Sequence, residues 1–179
     1  QAESNMLETH SINIQGNDFK LETNDRTFTP AALNLEASTS PESSFLNIAT
    51  GDLKIDAALS AGYKKMQKAL EEIATMYNRQ LTSKQSIYYV QDFERLLPES
   101  NINVECGQKN ILSNYLLFNG IRFNNFILNG NLNSNKEINA TAQLFALQKE
   151  DFTLDTIRIA ARQQGETINY FAGVRSSAT

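Results

Sequence analysis

Few side chains in this sequence have the type and spacing that catalysis requires. His10 is the only histidine and Cys106 the only cysteine. Acid–base or metal chemistry at His10 would need partner side chains, and its neighbours in the sequence supply none. Glu105 disfavours the thiolate of Cys106, and no basic residue is closer to it than Lys109, so we expect a buried or half-buried structural thiol.

The carboxylates also lack the arrangement of a catalytic pair. The neighbours Glu71-Glu72 and Glu150-Asp151 are predicted to lie on a helix surface and in a turn. Asp52 and Asp56 belong to an alternating strand pattern and are predicted to face solvent. Glycine-rich phosphate-binding loops are absent from the sequence. We therefore expect no enzymatic activity, no metal site and no cofactor.

Charge and composition argue against two further classes of function. The net charge is −4 and charges of both signs are interspersed, so a basic surface for nucleic acid is not predicted. No run approaches the roughly 18 consecutive apolar residues of a membrane span. A single cysteine rules out an internal disulfide. This cysteine count is compatible with both the cytosol and the bacterial periplasm. We expect residues 1–179 to form one domain excised from a longer protein.

Asparagine is unusually frequent, with 20 residues, of which 12 lie between Asn101 and Asn139. Asparagine tolerates a left-handed backbone conformation, and its side chain forms hydrogen bonds to the nearby backbone in turns. Both properties suit short connections between strands. The polar stretch Asn129–Lys136 is accordingly predicted to be a turn region. Compositional drift in an AT-rich genome is the alternative explanation, and the sequence leaves both open.

The elements that must position these residues are mostly strands. Asp151–Val174 contains two alternating apolar and polar runs separated by four residues that include Gly165, which predicts an antiparallel hairpin. The first run changes phase between Leu154 and Ile157. A bulge or break is therefore predicted near residues 155–156.

The same alternation runs through most of the chain. Over residues 11–59 and 121–175 it predicts antiparallel strands with one apolar and one polar face. A second change of phase separates Phe123 from Phe126. By contrast, the residues from Ile138 to Ala146 are predicted to present one continuous apolar face.

Between the two strand regions the period changes to that of a helix. Apolar residues recur every three or four positions and predict an amphipathic helix over about residues 61–81. A second helix is predicted over residues 84–97, capped by Thr82-Ser83 and stopped by Pro98. A third, short helix is predicted over residues 110–119. Ordering the first helix costs more conformational entropy than its apolar side chains return, so we expect it to dock on the sheet.

These patterns predict an α+β fold. We expect an antiparallel sheet, twisted or U-shaped, with an inserted helical segment at residues 61–98 that contributes two of its two to three helices. Aromatic side chains are concentrated on the helices, among them Tyr63, Tyr77 and Phe118. We expect them to pack between helices and sheet; an aromatic-lined pocket is the alternative.

Three stretches resemble one known protein family. They are LNIATGDLKID at Leu46–Asp56, the segments LLP, NVECG and GIRF within Leu96–Phe123, and LDTIRI followed by QQG within Leu154–Gly165. Taken together they are similar to an interior segment of the TamB-like proteins of the AsmA superfamily, long translocation and assembly module proteins of Gram-negative envelopes. The similarity spans roughly Phe45–Val174.

The resemblance implies a periplasmic segment of a protein anchored in the inner membrane. Such proteins fold long β-sheets into a U-shaped trough with an apolar inner surface, and they are associated with lipid transfer and with outer-membrane biogenesis. The partners it implies are lipid acyl chains, envelope proteins or the outer-membrane assembly machinery, without catalytic residues. The candidate lipid-binding residues are the strand positions that fit an apolar trough: Leu53, Ile55, Ala57, Leu59, Ile138, Ala140, Ala142, Leu144, Ala146, Ile168, Tyr170, Ala172 and Val174.

Two non-enzymatic hypotheses follow. In the first, the apolar sheet face is an open groove for acyl chains, and the helices form a cover or a lateral partner surface. In the second, the chain is a structural or protein-binding module whose sheet face is filled by its own helices. An apolar face left open, together with unpaired strands at both edges of the sheet, would favour the first.

Overall fold

The computed structural model describes residues 2–4, 9–17, 21–22, 27–28, 32–84, 90–133, 135, 137–165 and 167–176. The fold is α+β and is dominated by one twisted, open, antiparallel sheet, as the sequence predicted. Its strands are β1 (Ala2–Ser4), β2 (His10–Gly16), β5 (Leu33–Thr39), β6 (Ser44–Thr50), β7 (Leu53–Leu59), β8 (Ser100–Cys106), β9 (Ile121–Arg122), β10 (Asn125–Leu132), β11 (Ile138–Lys149), β12 (Phe152–Gln164) and β13 (Thr167–Arg175). A small separate hairpin pairs β3 (Leu21–Glu22) with β4 (Thr27–Phe28).

The main sheet follows the chain almost without crossovers. Its strands lie in the order β1-β2-β5-β6-β7-β8-β10-β11-β12-β13, and β9 pairs with β11. Sequence neighbours are therefore mostly spatial neighbours, which is the geometry that short turns favour. Gly51 and Gly165 make two of these turns with φ of 60° and 62°, backbone that glycine adopts without a steric penalty. The described edges of the sheet are β1 and β13.

Three helices connect the strands in the part of the chain that the structure describes. They are α1 (Tyr63–Ser83) and α2 (Val90–Glu94), which lie between β7 and β8, and α3 (Ile111–Phe118), which follows β8. α1 and α3 confirm the helices predicted over residues 61–81 and 110–119, to within about two residues at each end. The predicted cap at Thr82-Ser83 is wrong because α1 continues through both residues and ends at Lys84, whose φ is 54°. Of the predicted second helix, residues 85–89 lie outside the described part of the chain.

Both predicted changes of phase occur, and they lie side by side. β9 and β10 are interrupted at Phe123 and Asn124, and the ladder between β11 and β12 omits the pair Ala146 and Asp155. Continuing the register places Asn124, Ala146 and Asp155 next to one another on three neighbouring strands. The change of phase lies between Phe123 and Phe126. These two residues are three positions apart, which would place them on opposite sides of a regular strand, but they pack in the same cluster.

Two sequence predictions about strands need correction. The apolar face of β11 does not continue to Ala146, because this residue has a left-handed backbone with φ of 52° and leaves the ladder. The predicted turn at Asn129–Lys136 is wrong in its first half, where β10 continues to Leu132. Ten of the 20 asparagines lie in strands rather than turns. Asparagine therefore serves mainly as a polar strand residue here.

Within the described residues, no helix combines the length and the apolar character needed to cross a bilayer. The same residues contain no group of three or more His, Cys, Asp or Glu side chains placed to hold a metal ion.

Candidate functional site: the apolar sheet face

One side of the main sheet carries an almost unbroken apolar surface, which we call the apolar face. Directly opposite residues on antiparallel strands point to the same side of a sheet, so the strand register defines its cross-strand rows. The central row runs Ile14, Leu35, Ile48, Ile55, Val104, Leu128, Ala142, Ile159 and Ala172. Across nine neighbouring strands this row contains no polar residue.

The flanking rows extend the surface in both directions. One row runs Ile12, Ala37, Leu46, Ala57, Ile102, Gly130, Ala140, Ala161 and Tyr170. On the other side of the central row lie Gly16, Leu33, Thr50, Leu53, Cys106, Phe126, Leu144, Ile157 and Val174. A fourth row, at the α1 end, is more polar and runs His10, Thr39, Ser44, Leu59, Ser100, Leu132 and Ile138.

The register places twelve of the thirteen candidate residues on the apolar face. The exception is Ala146, for the reason given above. Ile168 lies at the end of the fourth row, opposite Gln163, whose side-chain oxygen accepts a hydrogen bond from the Ile138 backbone at 3.0 Å. The sequence analysis did not include β2, β5, β6, β8 and β10 in this surface. Their alternation was visible in the sequence, but their register was not.

Most large side chains of the apolar face are exposed or half-buried, and few are fully buried. Ile159 keeps 54% of its surface exposed and Tyr170 keeps 80%. Ile12, Ile14, Ile102 and Val174 are also exposed, and most of the remaining large side chains of the rows are only half-buried. Exposed apolar side chains that are contiguous, rather than scattered, are typical of a binding surface.

One end of the apolar face is covered by α3. There Leu53, Cys106 and Phe123 are buried, and Ile55, Leu116, Phe126 and Leu144 pack against them. Cys106 is fully enclosed, which confirms the predicted structural thiol; its sulfur lies 3.6 Å from the Ser113 hydroxyl. This cluster is the main buried core of the described residues.

A polar joint holds α3 over this core. Asn110 is completely buried, and its side-chain oxygen caps α3 by accepting from the Ser113 backbone at 2.9 Å. Its Nδ2 donates to Asp52 Oδ1 at 2.7 Å and to the Gly107 carbonyl at 3.0 Å. The Lys109 backbone N–H also donates to the Asp52 carboxylate at 2.9 Å. Asp52 therefore ties the β6–β7 turn to α3 and is not the simple outward-facing strand residue that was predicted.

The Asp52 carboxylate is electrostatically stabilised by this joint. Partial desolvation raises its pKa, but the hydrogen bonds from the Asn110 side chain and the Lys109 backbone lower it by more. The net pKa lies below the usual value, so the joint favours the charged form. The groups that donate to this carboxylate are uncharged amides, so we interpret the arrangement as structural.

The predicted docking of α1 on the sheet is limited to the start of the helix, and its apolar side is not buried against the sheet. Among its side chains only Ala69 is buried, and Leu70 is 54% exposed, as are Tyr63, Tyr77 and Leu81 to a similar degree. The start of the helix is tied to the fourth row, where the Tyr63 backbone donates to Thr39 Oγ1 at 3.2 Å and the Tyr63 ring lies 6.1 Å from the His10 ring. The helical aromatics whose side chains the structure describes, Tyr63, Tyr77, Tyr115 and Phe118, are all exposed and do not form the predicted packing between helices and sheet.

Between α1 and the sheet lies an apolar cleft of about 500 Å³. It is lined by Ser44, Leu59, Tyr63, Met66, Gln67, Leu70, Glu71 and Ala74. Ser44 and Leu59 belong to the fourth row, so the exposed side of α1 and the apolar face border the same space.

Comparisons with protein-family models, with curated proteins and with solved structures gave no match to this chain.

Proposed function

We propose that this chain is a non-enzymatic lipid-binding segment of a cell-envelope protein, in which the apolar face holds acyl chains. The cross-strand rows are the observation that carries the proposal. They form a surface of aliphatic side chains nine strands wide, and most of it is not covered by the described helices. The resemblance to TamB-like proteins adds a periplasmic location and a role in outer-membrane biogenesis.

The chemistry of the rows favours an acyl chain over a polar ligand. Strands in the interior of the sheet pair with a neighbour on each side, which uses their backbone donors and acceptors, and the central row offers no side-chain donor or acceptor. A hydrocarbon chain needs neither a donor nor an acceptor. Its binding removes apolar surface from water, which is favourable by about 25 cal/mol for each Å² buried. The cleft beside α1 extends the same apolar surface and offers a second wall for one chain.

The alternative is a self-filled module, and one observation favours it at one end of the sheet. There α3 buries Leu53, Cys106 and Phe123 as an ordinary core. Elsewhere the face lacks such a cover, since Ile159 and Tyr170 remain exposed and the apolar side of α1 is itself exposed. We therefore assign the α3 end to stability and the remaining face to binding.

Native mass spectrometry tests the proposal directly. The purified chain is incubated with vesicles of phosphatidylethanolamine and phosphatidylglycerol, separated from them, and measured for bound phospholipid. We expect bound lipid in the wild type and its loss in the double variant Ile102→Asp/Ile159→Asp, which places charges on the open face. Asn103→Asp, on the opposite side of the sheet, is the matched control and should retain lipid.

A wild-type chain that carries no lipid after this incubation contradicts the proposal. Equal loss of lipid in the Asn103→Asp control would also contradict it, because the effect would then not depend on the apolar face. Circular dichroism establishes that each variant keeps the strand content of the wild type.

A further inference from the structure

The opposite side of the sheet, here called the polar face, contains a depression of about 480 Å³. Its lining residues come from β8, β10, β11 and β12, and they are Asn101, Asn103, Asn129, Gly130, Asn131, Asn139, Ala140, Thr141, Arg158, Ala160, Ala161 and Arg162. Five of them are asparagines and two are arginines. No carboxylate is among them, although the chain as a whole has a net charge of −4.

The strand register explains how these side chains come together. Asn101, Asn131, Asn139 and Arg162 form one cross-strand row, and Asn103, Asn129, Thr141 and Ala160 form the next. The small side chain of Ala160 lies between the two arginines on β12 and leaves space at the centre of the depression. Arg158 and Arg162 are four residues apart on one strand, which separates their Cα atoms by about 13 Å.

Neither arginine has an ion-pair or hydrogen-bond partner among the described residues. Both side chains are exposed, and the residues opposite Arg158 are Gln143 and Gly173, which carry no charge. A guanidinium group presents a planar fork of donors that matches carboxylate and phosphate oxygens. The asparagine side chains between the arginines present both donors and acceptors, the pattern that neighbouring hydroxyl groups satisfy.

We propose that this depression binds an anionic glycan, a chain of sugar residues that carries carboxylate or phosphate groups. The two arginines bind two negative groups of one ligand, and the asparagines of β8, β10 and β11 bind the hydroxyl groups between them. Single-stranded nucleic acid fits less well, because no aromatic side chain lines the depression on which a base could stack. By register, the arginines and asparagines of the depression lie on the other side of the sheet from the apolar face, whereas its lining residues Gly130, Ala140 and Ala161 belong to an apolar row. The proposal rests on the polar side chains alone and does not depend on the lipid proposal.

Nuclear magnetic resonance titration of the ¹⁵N-labelled chain tests this site. Tetragalacturonate is the anionic probe, maltotetraose is the neutral probe of equal length, and inorganic phosphate is the free anion. We expect tetragalacturonate to shift the side-chain amide signals of Asn103, Asn129 and Asn139 and the Nε–H signals of both arginines. Maltotetraose and phosphate should each bind at least about 5-fold more weakly, since each offers only part of the contacts.

Variants separate a built site from general attraction of anions. Arg158→Gln/Arg162→Gln should weaken tetragalacturonate binding by about 5- to 20-fold, whereas Arg175→Gln, an arginine of β13 outside the depression, should change it by less than about 2-fold. Absence of shifts in the asparagine signals would overturn the proposal. So would equal binding of phosphate or maltotetraose, or an equal loss of binding in Arg175→Gln.

Discussion

Replacing Asn110 with alanine tests the inference that one buried carboxamide holds α3 over the core. This side chain is completely enclosed and uses both its oxygen and its nitrogen. The variant removes the cap of α3, the bond to the Asp52 carboxylate and the bond to the Gly107 carbonyl. It also leaves that carbonyl and the Ser113 N–H without these partners.

The magnitude follows from these contacts. Loss of a helix cap costs about 1 kcal/mol. A hydrogen bond to a buried charged group would contribute up to about 3 kcal/mol, but Asp52 is exposed, so about 1 kcal/mol is appropriate. The bond to the Gly107 carbonyl adds about 1 kcal/mol. We expect Asn110→Ala to lower the free energy of unfolding by about 3 kcal/mol, equivalent to a fall in Tm of about 6–12 °C.

Urea unfolding followed by circular dichroism measures this change. Asn131→Ala is the matched control, because Asn131 is exposed and its side chain makes only one long contact, 3.4 Å from the Ser100 carbonyl. The control should stay within about 0.5 kcal/mol of the wild type. If Asn110→Ala also stays within that margin, the joint does not stabilise the fold and the reasoning is wrong.

The pH dependence of the same variant provides an independent measurement. The pKa of Asp52 is lowered in the folded chain, so the joint contributes stability above the unfolded pKa of about 3.9 and loses it as the pH falls through the folded value. The difference in unfolding free energy between wild type and Asn110→Ala should therefore be largest near neutral pH and shrink below about pH 4. A difference that stays constant down to pH 2 would show that the Asp52 contact contributes nothing.

Four further substitutions test the packing, each by urea unfolding. Leu53→Ala, at a side chain 5% exposed in the core, should cost about 3 kcal/mol, whereas Ile159→Ala on the open face should cost less than about 1 kcal/mol; equal costs would mean that the face is not open. Gly51→Ala should cost at least about 2 kcal/mol, because φ is +60° and the new Cβ would lie 1.8 Å from the Lys109 carbonyl oxygen; a neutral result would contradict that close approach. Glu94→Met should stabilise by about 1 kcal/mol, because Glu94 is 5% exposed and its Oε1 has no partner among the described residues; destabilisation would indicate a partner for this oxygen.

Local periodicity was sufficient to predict the elements and even their irregularities. The alternation in Asp151–Val174 predicted the closing hairpin, and the change of phase between Leu154 and Ile157 predicted the break at Asp155. The helical period predicted α1, and the short helix predicted over residues 110–119 corresponds to α3. These features depend on residues within a few positions of one another, so they can be predicted from the sequence.

The docking of α1 could not be predicted in the same way. Its amphipathic pattern identifies an apolar side of the helix but does not identify the surface against which that side packs. The structure ties the helix at Tyr63 to the end of the sheet, places Leu70 beside an open cleft and leaves Leu81 exposed. The break at Ala146 also has no sequence signal, because alanine is not a residue that favours positive φ.

The sequence by itself determined which side chains of each strand share a face, because side chains alternate with a period of two whatever the strand pairs with. Only the tertiary structure decided that the faces of nine strands join into continuous rows, with an aliphatic surface on one side and the asparagine and arginine depression on the other. That outcome depends on pairing register, since a slip of one residue in any ladder would turn a strand's apolar residues to the opposite side. Register is set by turns and long-range contacts between residues such as Ile55 and Val104, which lie 49 positions apart and meet only in the folded chain.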